Sequence, residues 1–157
     1  MEPEKQEQGI VVQLAEKFGD IKVNSHKINE LVNAICGRFE LSQATVSIAI
    51  VDDEEILRIN KEFLDRDCVT DVISFDLSDE GALELSMFEL VVNGEMAMRQ
   101  AEERSHSSEA ELALYIAHGL LHNLGFDDAD PEQAEEMHRS EDDILKSLGF
   151  GEVYGLQ

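Results

Sequence analysis

The hydrophobic residues of this chain recur with two different spacings, and the change from one spacing to the other predicts the order of its elements. Over residues 25–39 they fall three and four positions apart, which places them on one face of a helix. Over residues 44–51 they alternate with small or polar residues, as expected of a strand with one buried face. Shorter apolar runs predict further strands at residues 10–14, 72–75 and 88–92.

Capping signals predict where the other helices begin and end. Asp52 begins a helix that runs to about residue 63, and Ser108 begins one that ends before Gly125. Asp130, which is followed by a proline, begins a last helix that ends near residue 149. The helix that follows Ser108 is apolar on all sides, so we expect it to lie in the centre of the fold.

The order strand, helix, strand, helix, two strands and then helices predicts the fold class. It is an α+β fold with mixed α/β character, in which a single small mixed β-sheet of about four strands is packed by about five helices. The last strand is expected to continue to residue 98 before the next helix, and residues 78–84 are expected to form a loop. We expect residues 10–150 to form a single domain, between a disordered acidic tail at residues 1–9 and a C-terminal tail at residues 151–157.

Charge is the most unusual property of the composition. Asp and Glu number 35 against 12 Lys and Arg, which gives a formal net charge of −23 at pH 7. Such a surface repels polyanions, so a nucleic acid partner would have to be held by a local cluster of basic side chains. The N-terminus does not resemble a targeting signal, the 2 cysteines do not form a CxxC motif, and no apolar run approaches a membrane span of about 20 residues. We therefore expect a cytoplasmic protein that does not associate with membranes.

His118 and His122 lie one helical turn apart. This is the spacing by which two imidazoles of one helix bind one metal ion. The turn that ends the helix allows Asp128 to supply a third ligand, and three protein ligands with an open water position are typical of catalytic zinc sites. Asp127 and Asp130 are alternative third ligands. The alternative to a metal site is that both histidines are hydrogen-bonded core residues.

Gly119 distinguishes this helix from that of the zinc proteases. In the HExxH motif of those enzymes, a Glu directly after the first His acts as general base. Here Gly119 occupies that position, so a base must come from elsewhere in the chain. The pattern therefore disfavours a peptidase, although it keeps the pair of histidines.

Two longer segments and one short strand carry a resemblance to a known family. Residues 118–128 read HGLLHNLGFDD and resemble the HGxLHxxGxDH signature of the YbeY family of bacterial metal-dependent endoribonucleases, which act in ribosomal RNA maturation. Residues 60–75 read NKEFLDRDCVTDVISF and resemble that family's N-x-x-[YF]-x-x-x-D-x-P-T-D-V-[LI]-S-F segment. Residues 92–98 are similar to its G-D-I-x-I strand, and the resemblance extends over about residues 10–150.

The resemblance implies a zincin-like metal helix and one divalent metal ion, zinc by preference, held by His118, His122 and Asp128. Nickel, cobalt and manganese are other metals that such ligands suit. The chain departs from the family pattern where Asp128 replaces a His and where Leu64 replaces an Arg. A carboxylate is a competent zinc ligand, but the missing guanidinium removes a group that could hold a phosphate.

Thr70, Asp71 and Ser74 belong to the second matching segment. The resemblance implies that Asp71 orients a metal-binding His or that these side chains line the cleft. The alternative is that Thr70 and Asp71 satisfy the backbone amides of a turn before a strand. Surface positions are predicted for the other histidines and for the acidic residues of the last helix: His26, His106, His138, Glu132, Glu135, Glu136, Glu141, Asp142 and Asp143.

Three basic residues near the same segment are candidates for RNA binding. Arg58 and Lys61 share a face of the predicted second helix, and Arg66 lies in the loop that leads to the expected cleft. The alternative is that they pair with neighbouring carboxylates as ordinary surface charges.

The favoured function is that of a single-strand-specific, metal-dependent endoribonuclease in ribosomal RNA processing and ribosome quality control. As the resemblance implies, its partners are ribosomal RNA and the small subunit of the ribosome. One alternative is a non-catalytic ribosome-associated factor that retains the metal site, which the net charge of −23 and the departures at Asp128 and Leu64 favour. The other is a zincin-like metallopeptidase. The sequence identifies neither a general base nor an oligomeric state.

Overall fold

The strands and helices follow one another in the predicted order. The computed structural model describes residues 9–78, 86–126 and 129–150, so nearly all of the predicted terminal tails and of the loop at residues 78–84 lies outside the described residues. The elements are β1 (Ile10–Glu16), α1 (Ser25–Arg38), β2 (Ala44–Val51), α2 (Asp53–Leu64), β3 (Val72–Asp76), β4 (Ser86–Asn93), α3 (Gly94–Arg104), α4 (Ser108–Asn123) and α5 (Pro131–Ser147).

The strands of the described residues form one mixed sheet in the order β1-β2-β4-β3. β2 runs parallel to both β1 and β4, whereas β3 runs antiparallel to β4. Parallel neighbours need a crossover, and α1 provides it between β1 and β2. The predicted α+β fold with one small mixed sheet is therefore confirmed.

The two faces of this sheet are covered unequally. Helices α1, α4 and α5 pack over one face, where Ile48 and Leu90 are buried. On the other face, α2 forms a smaller cluster around Ile56 and Val91. α4 is buried along most of its length, as its apolar sequence predicts, and it carries both candidate metal-binding histidines. No helix of the described ranges has the length and apolar character needed to cross a membrane.

α4 approaches the sheet very closely at Gly119. A Cβ atom at this position would lie 2.8 Å from Val72 Cγ2 and 3.1 Å from Leu90 Cδ2. Such contacts are shorter than close packing tolerates, so the approach of α4 to β3 and β4 requires a glycine here. Position 119 therefore faces the sheet, whereas the side chain of the preceding His118 contacts α5.

The boundary between β4 and α3 differs from the prediction that the strand continues to residue 98. Asn93 ends the strand and caps α3, because its side chain accepts a hydrogen bond from the Met96 backbone N–H at 2.9 Å. Gly94 then allows the helix to start against β2, since a Cβ atom there would lie 2.8 Å from Ile50 Cγ2. The predicted extension of the strand to residue 98 is therefore wrong, because residues 94–98 form the first turns of α3.

The predicted helix caps are confirmed with one shift. Asp52 caps α2 and Asp130 caps α5 through their side chains, as predicted. For α4, Ser107 rather than Ser108 accepts the hydrogen bond from the Ala110 backbone N–H, at 3.0 Å. Two adjacent serines offer the same chemistry, so spacing alone does not choose between them.

Candidate metal site and cleft

His118 and His122 face each other across one turn of α4. Their Nε2 atoms lie 3.2 Å apart, and the angle between their ring planes is 85°. Two nitrogens bound to one tetrahedral zinc ion, at bond lengths of about 2.0–2.1 Å, would lie about 3.3 Å apart. The two Nε2 atoms thus have the separation that a shared metal ion requires.

The other ring nitrogen of each histidine is held by a hydrogen bond. His118 Nδ1 lies 2.8 Å from Glu141 Oε2, and His122 Nδ1 lies 3.0 Å from the carbonyl oxygen of Phe126. A carbonyl oxygen only accepts, so it assigns the proton of His122 to Nδ1, and an ionised Glu141 assigns the same tautomer to His118. Both Nε2 atoms are then unprotonated, which is the state in which imidazole binds a metal.

Glu141 has a role that the sequence interpretation missed. The prediction that it belongs to a solvated acidic face is wrong, because its side chain is fully buried beside His118. The half-buried His138 also contacts it, with Nδ1 lying 3.3 Å from the second carboxylate oxygen. Ile144 and Leu145 are buried on the same side of α5, so Glu141 interrupts an apolar stripe at helical spacing. A carboxylate on such a stripe is the sequence signal that could have identified it.

A cleft of about 390 Å³ opens beside His118. Thr70 and Asp71 line it, so the structure brings two candidates of the second matching segment to the same site. Asp71 Oδ1 also accepts hydrogen bonds from the Val72 backbone N–H at 2.7 Å and from Thr70 Oγ1 at 3.2 Å. The carboxylate therefore stabilises the start of β3 and forms part of the cleft wall. Ser74 lies further along β3, outside the described wall of the cleft.

The three basic candidates for RNA binding also lie outside the described wall of this cleft. The Arg58 guanidinium contacts Glu55 at 2.7 Å and Glu62 at 2.9 Å, both on α2. Lys61 lies 3.8 Å from a carboxylate of the following loop, and Arg66 is an exposed residue of that loop. Arg58 and Lys61 thus form ion pairs with neighbouring carboxylates, as the alternative interpretation expects. RNA binding by the three basic residues stays a prediction.

The buried carboxylate of Glu111 forms a second polar cluster beside the cleft. It lies two turns before His118 on α4 and accepts hydrogen bonds from Arg104 Nη1 and His106 Nε2, each at 2.6 Å. Burial, together with the charge of Glu111 and a hydrogen bond to it, raises the pKa of Tyr115 well above its ordinary value. The prediction that His106 is a surface residue is wrong, since only 10% of its side chain is exposed. Arg104 and Tyr115 line the cleft together with His118.

The predicted third ligand, Asp128, and its alternative Asp127 lie outside the described residues, so their relation to the histidine pair stays a prediction. Asp130 is described and serves as a helix cap, with Oδ1 accepting from the Glu132 backbone N–H at 3.0 Å. Within residues 9–78, 86–126 and 129–150, no group of three or more His, Cys, Asp or Glu side chains could hold a metal ion. A three-residue site built on the histidine pair therefore needs a ligand from outside these ranges.

Known proteins resemble this chain in sequence and in fold. A family model described as Endoribonuclease YbeY matches residues 13–149. The protein named Endoribonuclease YbeY from Bacillus subtilis is 37% identical over an alignment 117 positions long, which covers 69% of this chain and 74% of that protein. The protein of the same name from Bacillus pumilus is 34% identical over an alignment 153 positions long, which covers 90% of this chain and 96% of the relative. A Thermotoga maritima protein solved in solution shares the fold, with a TM-score of 0.58, 23% identity, and coverage of 87% of this chain and 91% of that one. Because the family model spans most of the chain and the two Bacillus relatives are more than one-third identical over most of it, this chain belongs to the YbeY family.

Proposed function

We propose that the protein is a metal-dependent endoribonuclease that cleaves single-stranded RNA and acts in the processing of ribosomal RNA. The observation that carries this proposal is the pair of Nε2 atoms 3.2 Å apart on α4, with both rings held through Nδ1 and with His118 lining a cleft. Membership of the YbeY family supports the nuclease class, because the relatives are named endoribonucleases. We further propose a cytoplasmic location, a role in ribosome quality control, and the small ribosomal subunit with its RNA as partners.

His118 and His122 would hold one divalent cation, and Asp128 is the proposed third ligand. Imidazole nitrogens and a carboxylate oxygen form a ligand set that zinc accepts. A bound cation would supply Lewis-acid polarisation of a phosphate oxygen and a more acidic water molecule. Glu141 and the carbonyl group of Phe126 keep both rings in the metal-binding tautomer.

The cleft combines polar and apolar walls, which suits a single nucleotide strand. Thr70 and Gln100 offer a hydroxyl and an amide for hydrogen bonds, and Met96 and Leu114 offer apolar surface for a base. Bases in a duplex are stacked and paired, so a duplex would have to open before a base could enter the cleft. This supports the proposed preference for single strands.

A non-catalytic ribosome-associated factor is the second candidate function. The observation that favours it is electrostatic: the chain carries a net charge of −23, and Glu55 and Glu62 occupy the guanidinium of Arg58. Proteins that hold RNA normally present basic side chains to its phosphates. The third candidate, a zincin-like peptidase, is disfavoured because Gly119 takes the place of the general base and faces the sheet.

RNA cleavage by the zinc-loaded protein tests the proposed function. We expect a labelled single-stranded RNA to be cut and the same sequence in a duplex to resist. A chelator should abolish cleavage, and added zinc should restore it. Intact RNA with zinc-loaded protein would favour the non-catalytic factor, and cleavage of casein would favour the peptidase. RNA cleavage that continues after zinc has been removed would refute the role of the metal.

Glu141→Gln should weaken zinc binding about 10- to 100-fold, because contacts that orient a ligand contribute on this scale. The amide keeps the shape of the side chain but loses the charge that holds His118 as its Nδ1–H tautomer. Competition with a zinc-sensitive dye measures the dissociation constants. Glu136→Gln makes the same change at an exposed position of α5 and should bind zinc as the wild type does. Equal affinities in the two variants would show that Glu141 does not support the metal site.

A further inference from the structure

The described wall of the cleft contains one Lys or Arg side chain, that of Arg104. This residue ends α3, and 26% of its side chain is exposed. The net charge of −23 repels a polyanion, so the phosphates of an RNA strand can be held only by positive charge placed directly at them. Within the described wall, Arg104 is the residue that can supply such charge.

A buried carboxylate holds Arg104 in place. Arg104 Nη1 lies 2.6 Å from Glu111 Oε2, and Glu111 also accepts a hydrogen bond from His106. Two donors thus share the charge of this carboxylate, while a guanidinium carries five N–H donors in a rigid fork. A contact through one terminal nitrogen therefore leaves donors of Arg104 for an anion in the cleft.

α4 sets the separation between this cluster and the histidine pair. Glu111, Tyr115 and His118 follow one another at i, i+4 and i+7, so they share one face of the helix. Along the helix axis, Glu111 lies about 10 Å before His118, at 1.5 Å per residue. An extended strand in the cleft can therefore present one phosphate to the histidine pair and another to Arg104.

We propose that Arg104 is a phosphate-binding residue of this cleft, which holds the backbone of an RNA strand whose scissile phosphate lies at the histidine pair. This inference rests on the proposed nuclease function. A guanidinium suits the task because its fork binds two phosphate oxygens at once. Glu111 is a positioning residue, since it is fully buried and acts on the strand only through Arg104.

Salt-dependent RNA binding tests this subsite separately from cleavage. The probe is a fluorescent 2′-O-methyl single-stranded RNA, and its binding to the zinc-loaded protein is followed by anisotropy. The test variant combines Arg104→Gln with Glu111→Gln, which removes both charges and leaves no buried carboxylate without its cation. Arg99→Gln serves as the control on the same helix, because Arg99 pairs with Asp53 outside the described wall of the cleft.

We expect the double variant to bind the probe about tenfold more weakly. The slope of log K against log salt is negative, and its magnitude should decrease by about 0.7, the value for one phosphate contact with a single strand. Arg99→Gln should keep the wild-type slope and affinity. Arg104→Lys keeps the positive charge but not the fork, so it should bind more weakly with an unchanged slope. If Arg104 had only a structural role, Arg104→Lys would not lower the affinity while leaving the salt slope unchanged. The Lys variant therefore also tests the subsite if the double variant does not fold.

Each outcome decides between the two proposals. Wild-type slope and affinity in the double variant, or wild-type affinity in Arg104→Lys, would overturn the subsite, and cleavage by the same preparations would leave the nuclease function standing. Binding that depends on Arg104 without any cleavage of unmodified RNA would support the subsite and refute the nuclease function. A wild-type protein that does not bind the probe would overturn the subsite, and its activity on unmodified RNA would decide the nuclease function separately.

Discussion

Replacing His122 with Ala should lower the zinc affinity and the RNA cleavage rate of the protein by more than about 100-fold, since even contacts that only support a metal ligand contribute 10- to 100-fold. The substitution removes one of two Nε2 atoms that lie 3.2 Å apart, and it leaves His118 without its partner in the pair. Elemental analysis of the dialysed protein measures zinc content, and initial rates on a labelled single-stranded RNA measure cleavage.

His26→Ala is the control for this experiment. The ring of His26 lies on the exposed side of α1, 3.3 Å from Glu30, and does not line the described cleft. This variant should keep its zinc and its activity, and thermal denaturation should show that both variants are folded. Zinc retained by His122→Ala at the wild-type level would show that the histidine pair is not the metal site. Zinc lost without any loss of cleavage would assign the metal a structural role.

Most of the fold could be predicted because the spacing of apolar residues is a local property. The stripe of α1 and the alternation of β2 each depend on residues of one element, so the sequence reveals which side is buried. The end of β4 was misplaced because Met96 and Met98 continue an apolar alternation beyond Asn93. The cap formed by Asn93, and the narrow space beside Ile50 that admits only Gly94, become visible once the neighbouring strand is in place.

The candidate site could be predicted where its residues are close in sequence. His118 and His122 share a helix, so their spacing alone brings them together. Glu141 follows His118 by 23 residues and reaches it only through the packing of α5 on α4. The spacing of α5 indicates that position 141 is buried, but not which polar group it meets. The contact between Arg104 and Glu111 depends in the same way on how α3 packs against α4.

Position 119 distinguishes the two metal-dependent chemistries that α4 could support. In the HExxH peptidases, the residue after the first His is a Glu that acts on water at the metal. Successive helix residues point about 100° apart, and here the direction of position 119 is toward the sheet. A Cβ atom at Gly119 would already lie 2.8 Å from Val72 Cγ2. A glutamate there would be pressed between α4 and the sheet, away from the Nε2 atoms of the histidine pair.

Gly119→Glu restores the peptidase motif, yet it should destabilise the protein by about 4 kcal/mol or more, because overpacking costs about 1–3 kcal/mol and a buried unpaired charge costs several more. At about 2–4 °C per kcal/mol for a chain of this size, the midpoint of thermal unfolding should fall by about 10 °C. Gly37→Glu makes the same change on α1, where an added Cβ atom meets nothing within 4 Å. It should alter the free energy of unfolding by less than about 1 kcal/mol. A Gly119→Glu protein that melts with the wild type, or that cleaves casein, would contradict the packing of this residue against the sheet and favour the peptidase.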